Sequence, residues 1–187
     1  PCDESKIKEE INKLEDHEKL NITAANVANA IRDEENHLKI LVMKSGLHNE
    51  GQYQDSEKKK ETYIKILQFF RDLNAIENLK PILECASRSD FLKITFDMEY
   101  FFANKLDPSL KEDALGVCYE TGQIIIGAGK SIENVRNIDP YIMVRRTLIH
   151  ELTHFVVHQI YENKMKPYYG NDACNYLEIV NEIGMPW

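Results

Sequence analysis

The sequence lacks any long run of apolar residues. No stretch reaches the roughly 18 consecutive apolar residues that a membrane-spanning helix requires. The chain opens with PCDESKIKEE, a polar and acidic segment that does not resemble a secretory signal peptide. These absences predict a protein with no membrane partner and favour a cytoplasmic location.

Basic residues are scarce relative to acidic ones. Lys and Arg number 23 against 31 Asp and Glu, which gives a formal net charge of −8. Contacts to nucleic-acid phosphates need clustered Lys and Arg side chains. The densest basic run, EKKKE at 57–61, is flanked by glutamates and is typical of a solvated helix face. We therefore predict no nucleic-acid partner.

The four cysteines show none of the spacings that mark a cysteine-based site. Cys2, Cys85, Cys118 and Cys174 form no CxxC pair and no zinc-finger pattern. Four scattered cysteines in a chain of 187 residues do not indicate a disulfide framework, so we expect reduced thiols. Nucleophilic chemistry by a cysteine has no support beyond the presence of these side chains.

The apolar content is sufficient for a packed core, since hydrophobic residues make up 43% of the chain. Residues 4–20, 21–44 and 60–79 carry apolar side chains at helical intervals and predict three helices, with Thr23 or Asn21 as a helix cap. The polar segment 46–60 predicts an exposed loop.

The character of the sequence changes after residue 85. FLKITFDMEYFFA at 91–103 is aromatic and β-branched and predicts a strand. ALGVCYETGQIIIGAG at 114–129 predicts a hairpin that turns at Thr121-Gly122. Helices are predicted from about 141 to 162 and over 171–183.

These elements predict an α+β fold with a small mixed or antiparallel sheet. The sheet is followed by two helices, and a helical region precedes it. We place the boundary between residues 1–85, the helical N-terminal region, and residues 86–187, the region that carries the motifs described next.

Residues 150–154 read HELTH and match the metal-binding pattern H-E-x-x-H. On an α-helix, residues four apart are separated by about 6 Å of rise and about 40° of rotation. The imidazoles of His150 and His154 therefore leave one face and can share an ion about 2 Å from each ring nitrogen. Glu151 lies about 100° around from His150, where it borders the metal as a base for bound water.

The alternative interpretation of HELTH is a chance match, since the chain has six histidines. The helical context favours the metal site. Leu148, Leu152, Val156 and Ile160 form an apolar stripe that would pack the helix into a core beside the histidines.

A third histidine, His158, continues the four-residue spacing. It lies about 12 Å along the helix from His150, too far to share one ion with both other histidines. The segment FVVHQIY has no glycine at which the chain could reverse. We therefore interpret His158 as a cleft-wall or surface residue and not as a ligand.

Catalytic zinc usually takes three protein ligands, so a further ligand is expected from the final helix. That helix offers Asp172, Glu178 and Glu182. Glu178 and Glu182 share a face; if Glu178 binds the metal, Glu182 can accept a hydrogen bond from a ligating imidazole. Asp172 suits the helix cap. Solvent-facing carboxylates are the ordinary alternative for all three.

These features resemble the zincin metallopeptidases, most closely the gluzincin branch. The resemblance covers roughly residues 90–184 and rests on LIHELTH, the preceding hairpin and the carboxylate-bearing helix. It implies one Zn²⁺ per chain on His150, His154 and Glu178, with Glu182 or Asp172 as alternative third ligands. It also implies that Glu151 is the general base. The connection to the final helix is longer than in the best-known members.

The resemblance further implies a peptide or protein substrate. It suggests that GQIIIGAG at 122–129 is a cleft-edge strand that pairs with the substrate, although a buried strand beneath the active helix is equally compatible with the residues. Tyr169 is the candidate donor to an oxyanion, against a packing role. Arg145 and Arg146 could bind a substrate carboxylate or pair with surface acids.

The function predicted from the sequence is thus zinc-dependent hydrolysis of peptide bonds, by an endopeptidase. The rival is a catalytically inactive zincin-like domain that acts as a protein-binding or regulatory module. Nothing in the sequence specifies an oligomeric state.

Overall fold

The computed structural model describes residues 4–129 and 140–157. These residues form seven α-helices, two short 3-10 helices and four strands. The elements in chain order are α1 Glu4–Asn12, α2 Asp16–Leu20, α3 Ala24–Ala30, α4 Asn36–Met43, β1 Ser45–Leu47, a 3-10 turn Glu50–Gln52, α5 Ser56–Asn74, α6 Lys80–Ser87, β2 Lys93–Asp97, a second 3-10 turn Ala103–Lys105, β3 Gly116–Cys118, β4 Gln123–Gly127 and α7 Pro140–His154.

The four strands form one mixed sheet in the order β1-β2-β4-β3. β1, β2 and β4 run parallel, and β3 runs antiparallel to β4. The chain therefore combines helices with a small mixed sheet, as the sequence predicted at the level of fold class. The predicted final helix over 171–183 lies outside the described residues.

The hairpin prediction is confirmed by β3 and β4. Gly122 in the turn has φ +90°, and a Cβ atom there would lie 2.6 Å from the carbonyl oxygen of Phe91. Both the backbone angle and the close approach require glycine. The Tyr119 N–H donates to the carbonyl of Gln123 across the turn (2.8 Å).

Of the two roles that the sequence left open for GQIIIGAG, the structure shows the buried strand and not the cleft-edge strand. GQIIIGAG contains β4, which pairs with β2 on one side and β3 on the other, so it is an interior strand. Ile124, Ile125 and Ile126 are all buried, as expected for a strand covered on both faces. Among the described strands, β3 is the edge beside β4.

The loop predicted at 46–60 is wrong at its beginning. Residues Ser45–Leu47 form β1, which pairs with β2, and Leu47 is buried. A three-residue strand is too short to show alternation, so its partner strand decides its conformation. Residues on both sides of position 85 contribute to this sheet; the domain division itself stays a prediction.

Two of the long N-terminal helices predicted from the sequence are each divided in two. At the start of α2 the Glu15 side chain accepts a hydrogen bond from the Glu18 backbone N–H, and the Glu18 carboxylate accepts one from the Glu15 backbone N–H (3.1 Å). Thr23 caps α3, as predicted, by accepting a hydrogen bond from Asn26 N (3.2 Å). Pro81 lies in the first turn of α6, where its missing N–H costs no hydrogen bond.

The helix α7 packs against α5 of the N-terminal region. The rings of Phe69 and Tyr141 lie 6.2 Å apart, and Arg145 forms an ion pair with Asp72. Of the two roles that the sequence left open for Arg145, the structure therefore shows pairing with an acidic side chain. None of the described helices has the combined length and apolar character of a membrane-spanning segment.

Candidate metal and catalytic site on helix α7

The residues around the HELTH motif are held in place by burial. Leu148, Leu152 and Val156, predicted to face the core, are each at most 1% exposed. Ile149 and Phe155 are also fully buried, so the core surrounds much of the helix. Ile160 lies outside the described residues. This packing fixes the helix against the sheet and leaves little freedom for the side chains between.

His150 and His154 lie side by side on α7. Their Nε2 atoms are 2.9 Å apart, their ring centroids are 4.6 Å apart, and the ring planes are inclined by 70°. Two nitrogens bound to one tetrahedral zinc ion are about 3.3 Å apart, given zinc–nitrogen bonds of about 2.0–2.1 Å. Moving the two nitrogens apart by a few tenths of an ångström would therefore make room for the ion. The pair fits two positions of a zinc site.

The protonation state of His150 also suits metal binding. Burial, together with the neighbouring His154, lowers the pKa of His150 to about 3. His150 is therefore neutral near pH 7, which is the form that donates a lone pair to a metal.

Glu151 is buried beside the pair, with 7% of its surface exposed. Burial raises the pKa of its carboxyl to about 7. A carboxyl with this pKa exchanges protons readily near neutral pH, which is the property that a general base and acid needs.

The strand β3 passes directly over Glu151. A Cβ atom on Gly116 would lie 3.2 Å from Glu151 Cγ, which shows how closely the β3 backbone approaches this side chain. Cys118, two residues along the strand, is a free, half-buried thiol. Burial and the nearby Glu151 raise its pKa to about 12, so it stays protonated and is a poor nucleophile.

The raised pKa of Glu151 predicts a pH-dependent cost to stability in the metal-free protein. Glu151 binds its proton more tightly in the folded chain, so stability falls as pH rises from about 4.5 to about 7 and is constant above. We expect Glu151→Gln to be more stable than the wild type above pH 7 by about 3 kcal/mol, and equal to it below pH 4. Urea unfolding of both proteins with chelator across this range measures the difference.

Taking the difference between the two proteins cancels the titration of His150, which both share. A stability difference that does not change between pH 4 and pH 8 would contradict the burial of a protonated Glu151.

No third ligand for the histidine pair is found within 4–129 and 140–157. In these ranges, no further His, Cys, Asp or Glu ligand atom lies within 4.8 Å of both histidine nitrogens. The residues predicted to complete or border the site lie outside the described residues, and their roles stay predictions: His158, Tyr169, Asp172, Glu178 and Glu182.

A second group of possible ligands, which no spacing in the sequence indicates, consists of Glu35, His37 and Glu84. Their ligand atoms lie within 4.8 Å of one another, although Glu35 and His37 are at the start of α4 and Glu84 is in α6, beyond α5 in the chain. Lys80 Nζ donates to Glu35 Oε1 (2.9 Å), and His37 Nε2 donates to Asn74 Oδ1 (2.7 Å). The Lys80 ammonium already balances the charge of Glu35, so we interpret this group as an ion-pair network.

Comparisons of the chain with protein families, with curated proteins and with solved structures found no match.

Proposed function

We propose that the protein is a zinc-dependent metallopeptidase whose active site lies on α7. The observation that carries this proposal is the pairing of two imidazole nitrogens, 2.9 Å apart, beside a buried glutamate on the same helix. A neutral His150 and a second imidazole at helical spacing are suitable zinc ligands, and a neighbouring carboxylate with a pKa near 7 is a suitable base.

His150 and His154 would hold the metal, with a third carboxylate ligand from the C-terminal part of the chain. Glu178 is our first choice, and Glu182 and Asp172 are the alternatives. Bound zinc would polarise the scissile carbonyl and make water a better nucleophile at neutral pH.

Glu151 would act first as the general base and then as the general acid. Its carboxylate takes a proton from the attacking water as the new carbon–oxygen bond forms, and gives it to the amine nitrogen as the carbon–nitrogen bond breaks. Burial supports both steps, since it makes the carboxylate basic enough to accept the proton and still able to release it. Tyr169 stays a candidate hydrogen-bond donor to the oxyanion.

β3, at the edge of the sheet formed by the described strands, is a suitable place for a peptide substrate. Val117 pairs with Ile125, and Leu115 and Tyr119 also bond to the β4 segment. Because antiparallel pairing alternates, the backbone N–H and C=O groups of Gly116 and Cys118 point away from β4. An extended peptide can bond to these groups and would then lie close to Glu151.

The test is metal analysis of the purified chain together with cleavage of a mixed peptide library. We expect about one zinc per chain, and cleavage at internal peptide bonds that stops with chelator and returns with added zinc. A protein without metal that gains no cleavage with zinc would overturn the proposal and favour a non-catalytic binding module.

A further inference from the structure

The contact between β3 and α7 depends on the absence of a side chain at Gly116. A Cβ atom there would lie 2.7 Å from Thr147 Cγ2, 3.1 Å from the Ile125 carbonyl oxygen and 3.2 Å from Glu151 Cγ. The first distance is shorter than real Cβ atoms accept, and the other two are tight. Glycine therefore suits this position because the β3 backbone lies directly against two α7 side chains and the Ile125 carbonyl oxygen.

The three groups nearest to a Cβ atom at Gly116 differ in how far they can move. Thr147 is buried, and its Oγ1 donates to the Met143 carbonyl (2.8 Å). The Ile125 carbonyl belongs to the paired sheet. Glu151 has rotatable bonds beyond Cβ, so its side chain would give way most easily if β3 carried a methyl group.

We propose that Gly116 is a positioning residue for the general base: its bare backbone lets β3 lie against α7 and limits where the Glu151 carboxylate can lie relative to His150 and His154. This inference rests on the proposed function. It follows from the geometry of Glu151 Cγ, the carbon that directs the carboxylate, and Gly116 itself does not touch the reacting atoms.

The experiment compares Gly116→Ala with the double variant Gly116→Ala/Thr147→Ser. The single variant should lower kcat by about tenfold or more with zinc content unchanged, because a misplaced base slows the proton transfer but does not remove a metal ligand. A change in KM would report on peptide pairing at β3, so kcat is the readout for the position of the base. Replacing Thr147 by Ser removes the Cγ2 methyl that makes the closest contact and keeps the hydroxyl. The double variant should therefore regain thermal stability and keep a low kcat.

Gly46→Ala is the matched control. Gly46 lies in β1 of the same sheet, and a Cβ atom there meets nothing within 4 Å. Its kcat and melting temperature should equal those of the wild type.

These measurements distinguish the positioning role of Gly116 from the proposed metallopeptidase function. A kcat of Gly116→Ala within twofold of an active wild type would overturn the positioning role alone. A double variant that regains kcat along with stability would do the same, since the effect would then be one of packing against Thr147. A wild type without zinc-dependent cleavage would overturn the proposed function and this role with it.

Discussion

Replacing Glu151 by Gln is expected to lower the rate of peptide cleavage by about 10²- to 10⁴-fold while zinc stays bound. Gln has nearly the same shape and fills the same buried space under β3, so the helix and the histidine pair are undisturbed. It cannot accept the proton of the attacking water. The measurement is kcat on a fluorogenic peptide beside zinc content by elemental analysis.

The matched control is Glu120→Gln, which makes the same chemical change at an exposed glutamate in the β3–β4 turn. It should cleave at the wild-type rate. If Glu151→Gln retained full activity with zinc bound, Glu151 would not be the base and the mechanism proposed above would be wrong.

Replacing His154 by Ala is expected to reduce zinc from about one ion per chain to a trace after dialysis, and cleavage with it. One imidazole and a carboxylate are too few ligands to retain the ion. The buried core residues of α7 are unchanged, so the variant should fold, which circular dichroism in the presence of chelator can check.

Two histidine controls locate the metal. His158→Ala should keep its zinc, because the spacing predicts about 12 Å of helix rise between that residue and His150, too far to share the ion. His37→Ala should also keep it. Loss of zinc from His37→Ala with retention in His154→Ala would move the metal to the group of Glu35, His37 and Glu84 and overturn the assignment to α7.

Part of the candidate site could be predicted because it is local. The four-residue separation of His150 and His154 dictates that both imidazoles leave one face of a helix, whatever surrounds them. The apolar stripe of Leu148, Leu152 and Val156 likewise predicted which face is buried. The turn at Gly122 could be predicted for the same reason, since its backbone angle depends on the residue itself.

Other features could not be predicted because they depend on residues far apart in the chain. β1 is a strand only because β2 pairs with it, and three residues carry no pattern of their own. The interior position of β4 and the edge position of β3 follow from strand order, which neighbouring sequence does not encode. The same holds for Arg145, whose partner Asp72 comes from a different helix.

The sequence by itself determined which reactive side chains are present and how they are spaced: two histidines on one helical face, a glutamate beside them and a hairpin ahead of them. The tertiary structure decided how that chemistry is tuned. It buried Glu151 until its pKa rose to about 7, and it brought Gly116 against that side chain. The physical reason is that helix geometry acts within a few residues, whereas burial and close approach arise only when distant elements pack together.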